Sequence, residues 1–382
     1  MSKTLVITND FPPRPGGIQT FIYGLVQGFD PDDVVVLTSK HTAWQEFDKQ
    51  EKYPIFRHNT QMLLPTKAVG DQAITIIKEF NCDRVLFGAS APLGLLANRL
   101  KNHGIKKTVA ITHGHEVGWA FTPGLKQTFQ KIVKDVDKLT YLTKFTFEQI
   151  SEAISSDQLE KFEQLTPGID INMFNPENKT NGQSQKIRER FRLGNKPVVV
   201  CVSRLMARKG QDTLIEVWPE VLKKVPDAHL LIVGGGSLKQ SLHKKTFDNN
   251  VHTSVTITGA VDWKELPGFY AAGDVFAMPV RTRNLGFDVE GLGIVYLEAS
   301  ATGIPVIAGN SGGAPEAVFD GVTGFVLNPN NQMILAEKII ELLLNKELIN
   351  RLGKQGRSWI EKQWQWPSRH LQLKNLLSTD MS

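Results

Sequence analysis

The chain has 382 residues, more than one hydrophobic core ordinarily holds, so two domains are expected. A content of 41% hydrophobic and 22% charged residues excludes a fibrous or disordered chain. The formal charge of +5 comes without a basic stripe interleaved with aromatics, which disfavours nucleic acid and suits an anionic small ligand or an anionic membrane surface.

The start, "SKTLVITNDFPP", is a strand-like run only, too short for a signal-peptide core or a membrane span. Cys82 and Cys201 lie in or beside apolar runs far apart in sequence, as buried reduced thiols do, and a cytoplasmic chain is expected. "TLVITND" (4–10), "DVVVLTS" (33–39), "RVLFGAS" (84–90), "KTVAITHG" (107–114) and "KLTYLTK" (138–144) are short β-branched or aromatic runs closed by turn residues. Helical stretches separate them, among them "GIQTFIYGLVQGF" (17–29) and "KAVGDQAITIIKEF" (67–80). Apolar runs without polar alternation, separated by helices, predict a parallel sheet covered on both faces. This is a doubly wound α/β domain.

The rhythm breaks at "PGIDINMFNPENKTNGQSQ" (167–185), whose Pro, Asn and Gly content predicts a linker. A basic helix, "KIRERFRL" (186–193), follows, and then the α/β pattern restarts. Strands are predicted in "PVVVCVSR" (197–204), "HLLIVGGG" (229–236), "SVTITGAV" (254–261), "DVFAMPV" (274–280), "GIPVIAG" (303–309) and "GFVLNP" (324–329). The boundaries expected are 1–168 for a first domain and 186–366 for a second, with a cleft between two Rossmann-like halves. Pro367 should kink or break the helical pattern of 360–378, and the tail, 367–382, is expected to cross back onto the first domain.

In open parallel sheets ligands bind outside the carboxyl ends of the strands. After the first strand, Gly16 and Gly17 open a helix, either as a plain tight turn or as a place where backbone approaches a phosphate. His113 ends a strand in "THGHE" and should point into the cleft. His115 and Glu116 form no metal site by themselves, since a third ligand is missing. In the second domain Arg204, Arg208 and Lys209 crowd one loop before a helix, a good diphosphate clamp. "VGGGSLKQSL" lacks the acidic residue about twenty positions on that a nicotinamide cofactor would need, and no Walker lysine loop occurs.

"VEGLGIVYLEA" (289–299) brackets an apolar run with Glu290 and Glu298. A buried carboxylate needs a basic partner or a ligand hydroxyl. If both were helical they would lie ~12 Å apart, whereas a retaining glycosidase pair stands ~5 Å apart. The two acids therefore suit two ends of one long ligand, with Gly291 and Gly293 letting backbone turn close to it.

These motifs, with "SRLMARKG" upstream and "PVIAGNSGGAPEAV" downstream, resemble the retaining GT-B glycosyltransferases of family 4 over nearly the whole chain. "NDFPPRPGGIQTF", "THGHEVGW" and "DVEGLGIVYLEA" look like those of the actinobacterial PimB-type mannosyltransferases. Those move mannose from GDP-mannose onto phosphatidylinositol monomannoside in α-1,6 linkage. The resemblance implies that Glu298 holds the ribose hydroxyls and Glu290 those of the transferred sugar. Backbone from Gly291 and Leu292 to Gly293 and Ile294 would lie beside that sugar. Arg204 and Lys209 would bind the diphosphate, with Gly16 and Gly17 closing over it. His113 would sit beside the reacting centre, and Gly259 to Asp262, Val261 included, would receive the base. It further implies GDP-mannose as donor substrate without cofactor or metal. The partners implied are an anionic phospholipid acceptor and the inner membrane surface, with a peripheral place on the cytoplasmic face. Lys67, Lys126, Lys131 and Lys134 beside apolar residues are compatible with such a surface.

Two features depart from that pattern. Asn284 and Leu285 stand where a more glycine-rich loop is expected, and "DVD" (135–137) mimics a metal motif at what should be a helix terminus. Three other readings stay open: another nucleotide-sugar donor such as UDP-glucose with a soluble acceptor, a sugar-nucleotide epimerase, or a non-catalytic nucleotide-sugar or lipid binding module.

Overall fold

The computed structural model describes residues 2–114, 116–286 and 288–379. The chain divides into two compact units, one of residues 1–168 with 366–382 and one of residues 169–365.

The first unit is a seven-stranded sheet of β1 (Lys3–Thr8), β2 (Val34–Ser39), β3 (Ile55–His58), β4 (Cys82–Phe87), β5 (Lys107–Ile111), β6 (Lys138–Tyr141) and β7 (Phe162–Gln164). The strand order is β3-β2-β1-β4-β5-β6-β7 and every pairing is parallel. Ile7 pairs with Leu37 on one side and Phe87 on the other. β1, β2, β4, β5 and β6 each carry fully buried residues, which is why their runs show no polar alternation. β3 ("IFRH") and β7 ("FEQ") lie outside that pattern. Both are outermost strands, and an edge needs less apolar sequence than a centre.

The second unit is a six-stranded parallel sheet of β8 (Val198–Val202), β9 (His229–Val233), β10 (Val255–Ile257), β11 (Val275–Met278), β12 (Val306–Gly309) and β13 (Gly324–Leu327). Its order is β10-β9-β8-β11-β12-β13. β8 is therefore flanked by β9, which follows it in sequence, and by β11, which does not. That reversal is the topological switch point. In the first unit the same reversal falls between β1 and β4.

From Ile169 on, the segment expected as a linker belongs instead to the second unit. Ile169 bridges to Gln365 and its N–H donates to Trp364 O at 2.6 Å. Phe174 is buried edge-on against Tyr270, and Asn178 is buried with its amide donating to Met173 O at 2.8 Å. The polar composition serves turns that pack, not a free tether.

The helix Lys346–Gln363 stops before Trp364, and a new helix, Trp366–Leu377, starts with Pro367 as its second residue. Proline costs nothing there, because the first-turn N–H groups have no intrahelical partner. This last helix packs in the first unit. The Trp366 ring occupies the space a side chain at Gly24 or Gly168 would need, and the His370 Nε2–H donates to Gly24 O at 2.8 Å.

Candidate functional site

In the second unit, the carboxyl ends of β8, β11 and β12 bring together what the sequence scatters. The loop after β8 turns through Arg204 to Lys209 and enters the helix Gln211–Lys224 at Gly210. Gly210 has φ +76°, and a Cβ there would stand 2.2 Å from Pro279 O, just past β11. Only glycine lets the two loops approach so closely.

Across this contact the Lys209 ammonium donates to Glu290 Oε2 at 2.6 Å, with both side chains about 10% exposed. Arg208 Nε approaches the same oxygen at 3.5 Å, and its terminal nitrogen reaches Asp288 Oδ1 at 3.2 Å. Burial drives the Glu290 carboxyl upward, but Lys209 and then Arg208 outweigh it and hold it below the ordinary range. Arg204 is exposed and makes no side-chain hydrogen bond or ion pair among the described residues. The three cations of the loop are thus of two kinds: Lys209 and Arg208 are engaged, and Arg204 is available to an anion.

Glu290 is held from behind by "SGG" after β12. Gly313 N–H donates to Glu290 O at 2.8 Å, and Gly312, at φ +59°, leaves room for that same carbonyl. Gly291 and the buried Leu292 lead to Gly293, which caps the helix Ile294–Ala301 at φ +85°. Glu290 precedes that helix and Glu298 lies within it, so the two are not both helical.

Glu298 is buried and accepts the Tyr270 hydroxyl at 2.6 Å. Burial pushes its carboxyl up to about 7, against the opposing hydrogen bond from Tyr270. The phenol is itself pushed far up by burial and by Glu298. Sequence reasoning did not find Tyr270, which sits in the apolar helix Leu266–Ala272. The available signal was general: a buried tyrosine hydroxyl needs a partner.

Beyond β9 and β10, Gly234 N–H donates to Gly259 O at 3.0 Å. Gly259, at φ +78°, leads to half-buried Val261 and to Asp262, which caps the next turn at Lys264 N–H.

In the first unit, Gly16 caps the helix Gly17–Val26, and Thr20 N–H donates to Gly16 O at 3.0 Å. Gln19 on its first turn donates to Asp10 Oδ1 at 2.6 Å. His113 is buried beyond β5, edge-on to Phe21. Its Nε2 lies 2.6 Å from Gly88 O, and since a carbonyl only accepts, Nε2 carries the proton. Its N–H donates to Glu116 Oε2 at 2.9 Å, while Ser90 Oγ donates to Glu116 Oε1. Glu116 is thus a buried brace between the loops after β4 and β5. His115 lies outside the described residues.

Asp137 of "DVD" accepts from Lys101 Nζ at 2.6 Å and from Thr108 N and Oγ1, each at 2.8 Å. Asp135 ends the helix Leu125–Asp135 and pairs with Lys131 at 3.3 Å. That helix buries Phe129, Ile132 and Val133 in the core, whereas Leu125 beside Lys126 is 39% exposed. Among the described residues no group of three or more His, Cys, Asp or Glu is arranged to hold a metal ion. Cys82 and Cys201 are buried free thiols.

Residues 183–359 match the family described as glycosyl transferases group 1. The chain is 40% identical to the GDP-mannose-dependent alpha-(1-6)-phosphatidylinositol monomannoside mannosyltransferase of Mycobacterium tuberculosis, over 100% of this chain and 99% of that one. It is 42% identical to the GDP-mannose-dependent monoacylated alpha-(1-6)-phosphatidylinositol monomannoside mannosyltransferase of Corynebacterium glutamicum, over 99% of this chain and 98% of that one. Its fold is similar to that of Anabaena Alr3699/HepE in complex with UDP and glucose. There the TM-score is 0.83 at 18% identity, over 99% of this chain and 100% of that one.

Proposed function

The chain belongs to the group 1 glycosyl transferases, in the branch that holds the phosphatidylinositol monomannoside mannosyltransferases, and from that premise we propose that it moves mannose from GDP-mannose to a phosphatidylinositol mannoside in α-1,6 linkage. The observation that carries this reading is 40–42% identity over essentially the full length of both chains, not over one half alone. The two parallel-sheet units are the two halves of a GT-B fold.

The second unit holds the donor. Glu298 takes the ribose hydroxyls, Val261 and its neighbours the base, and Arg204 with Lys209 the diphosphate. Glu290, with backbone from Gly291 to Ile294, holds the sugar. The first unit holds the acceptor, with His113 beside the reacting centre. During transfer the bond from the anomeric carbon to the diphosphate oxygen breaks and one to the acceptor oxygen forms on the same face. The acceptor proton passes to the departing phosphate oxygen. Negative charge grows on the diphosphate in that step, where fixed cations stabilise it most. What supports these roles is position: Lys209 and Glu290 meet at a topological switch point. No metal is required in this scheme.

Among the described residues no helix is long and apolar enough to cross a membrane. A phosphatidylinositol mannoside acceptor would be met at a membrane surface, and a peripheral place on its cytoplasmic face is part of this proposal.

The test is a donor panel with phosphatidylinositol monomannoside as acceptor, read by mass spectrometry. One added hexose from GDP-mannose is expected. Transfer of glucose from UDP-glucose to a soluble acceptor would refute the donor and acceptor while leaving the fold intact. Breakdown of donor without any acceptor product would favour an epimerase or hydrolase.

A further inference from the structure

We propose that a cavity at the carboxyl ends of β1, β2 and β3 seats the anionic phosphodiester of a glycophospholipid, with Met62 and Leu64 turned toward its acyl chains. The inference rests on the reading that the first unit takes a lipid acceptor.

The cavity has a volume of about 610 Å³ and is lined by Arg14, Lys40, His41, Trp44, Gln61 and Met62 among others. Three separate loops contribute: Arg14 from the one after β1, Lys40 to Trp44 from the one after β2, and Gln61 and Met62 from the one after β3. No carboxylate lines it. The cavity of the second unit that Lys179, Arg188 and Arg192 line differs in this respect. It also contains Glu189 and Asp274, and Asp274 takes Arg188 at 3.3 Å.

The cations here are free to meet an anion. Arg14 is exposed and makes no side-chain hydrogen bond or ion pair among the described residues. Lys40 Nζ donates only to the neutral Asn59 Oδ1, at 3.0 Å, and lies 5.7 Å from the centre of the Trp44 ring. A guanidinium and an ammonium lining one cavity match the spread charge of a phosphodiester.

The loops that carry them are held in place. The Arg57 side chain is 2% exposed and donates to Pro12 O at 2.7 Å and to Ser39 O at 3.2 Å. One buried guanidinium thus ties the Arg14 loop to the Lys40 loop, while Asp48 neutralises it at 2.7 Å. The third loop is anchored through Leu63, which is fully buried. Its N–H donates to Asn9 Oδ1 at 2.5 Å, and its carbonyl accepts from Asn9 Nδ2 at 3.0 Å. With Leu63 fixed inward, Met62 and Leu64 are 58% and 49% exposed. Apolar side chains held outward beside unpaired cations fit a charged interface with an apolar interior, which is a bilayer surface.

The test uses the full-length protein with vesicles of phosphatidylcholine, with or without phosphatidylinositol. Wild type should prefer the phosphatidylinositol vesicles and lose that preference as salt rises. Arg14→Gln with Lys40→Gln should weaken that binding at least tenfold and raise the acceptor KM at least tenfold. Affinity for GDP-mannose should change less than twofold, which also reports an intact fold. Met62→Ser with Leu64→Ser should weaken vesicle binding but not binding of deacylated glycerophosphoinositol mannoside. An unchanged vesicle preference and acceptor KM in the Arg14/Lys40 variant overturns the proposal. So does a loss of preference confined to a Lys126/Lys131/Lys134→Gln variant, or deacylated ligand binding wild type as tightly as vesicles do. If wild type transfers no mannose to lipid yet the Arg14/Lys40 variant loses vesicle binding, the cavity assignment stands and the proposed activity falls.

Discussion

Lys209 and Glu290, 81 positions apart, form a buried ion pair of 2.6 Å at the carboxyl ends of β8 and β11. A carboxylate and an ammonium taken out of water offset one another only as long as both are present. Arg204, five residues before Lys209, is exposed and carries no such obligation. Two cations given the same role toward a diphosphate thus differ in what their loss does to the fold.

Lys209→Met should lower stability by about 3 kcal/mol, since Glu290 would keep only the longer contact to Arg208. Arg204→Ala should change stability by no more than about 0.5 kcal/mol. Both should cut turnover by about a hundredfold or more if they face the departing diphosphate. Urea unfolding and steady-state rates check the two halves. Lys209→Met with Glu290→Gln should recover stability but not activity. Near-normal turnover in Arg204→Ala would remove that residue from the site.

The two glutamates should respond to pH in opposite senses. Glu290 is held below the ordinary range, so its contribution is present above about 4.5 and is lost as pH falls through its lower folded value. Glu298 is raised from 4.5 to about 7, so the folded state keeps a proton that the unfolded state has released. Its effect is to make stability fall as pH rises from about 4.5 through about 7, by at most about 3 kcal/mol. Glu298→Gln should remove that fall, and Tm measured from pH 5 to pH 8 in wild type and variant would reveal it. A parallel decline in both assigns the slope to other groups.

Ribose hydroxyls donate to a carboxylate best when it is ionised. GDP-mannose, whose diphosphate does not titrate in this window, should therefore bind wild type more tightly at pH 8 than at pH 6. Calorimetry on Glu298→Gln should show weaker binding with that slope gone. A slope that survives in the variant would take the ribose away from Glu298.

Gly312→Ala should cost about 2 kcal/mol or more, because a Cβ at φ +59° would stand 2.2 Å from Glu290 O. It should also weaken GDP-mannose binding by shifting the backbone that presents Glu290. Gly321→Ala is the comparison: φ is +72° there, but nothing lies within 4 Å of the new methyl. Equal stability losses in the two variants, with unchanged donor affinity in both, would mean that the approach of Gly312 to Glu290 is unimportant.

Activity should survive exhaustive EDTA. The "DVD" carboxylates are occupied by Lys101, Thr108 and Lys131, and Asp288 is paired with Arg208. Loss of activity restored by Mg²⁺ or Mn²⁺ would show that a metal reaches the diphosphate from outside these groups.

The amino-acid sequence alone made legible the eleven strands that carry apolar runs and the restart of the α/β pattern. Those follow from short-range causes: β-branched runs need burial on both faces, and glycine marks backbone that must turn or approach closely. It left β3 and β7 unseen, since a half-buried edge such as "IFRH" needs no apolar run. It also read 167–185 as a linker, although 169–182 are turns packed in the second unit, because polar turn residues look alike whether or not they pack. The partners of the buried charges were decided only by tertiary structure. Glu290 meets Lys209 because β11 lies beside β8, Glu298 meets Tyr270 across 28 positions, and Arg57 joins loops after β1 and β2 from a strand the pattern does not reveal. Strand order sets those pairings, and strand order is a property of how the whole sheet closes its core, not of any local stretch of chain.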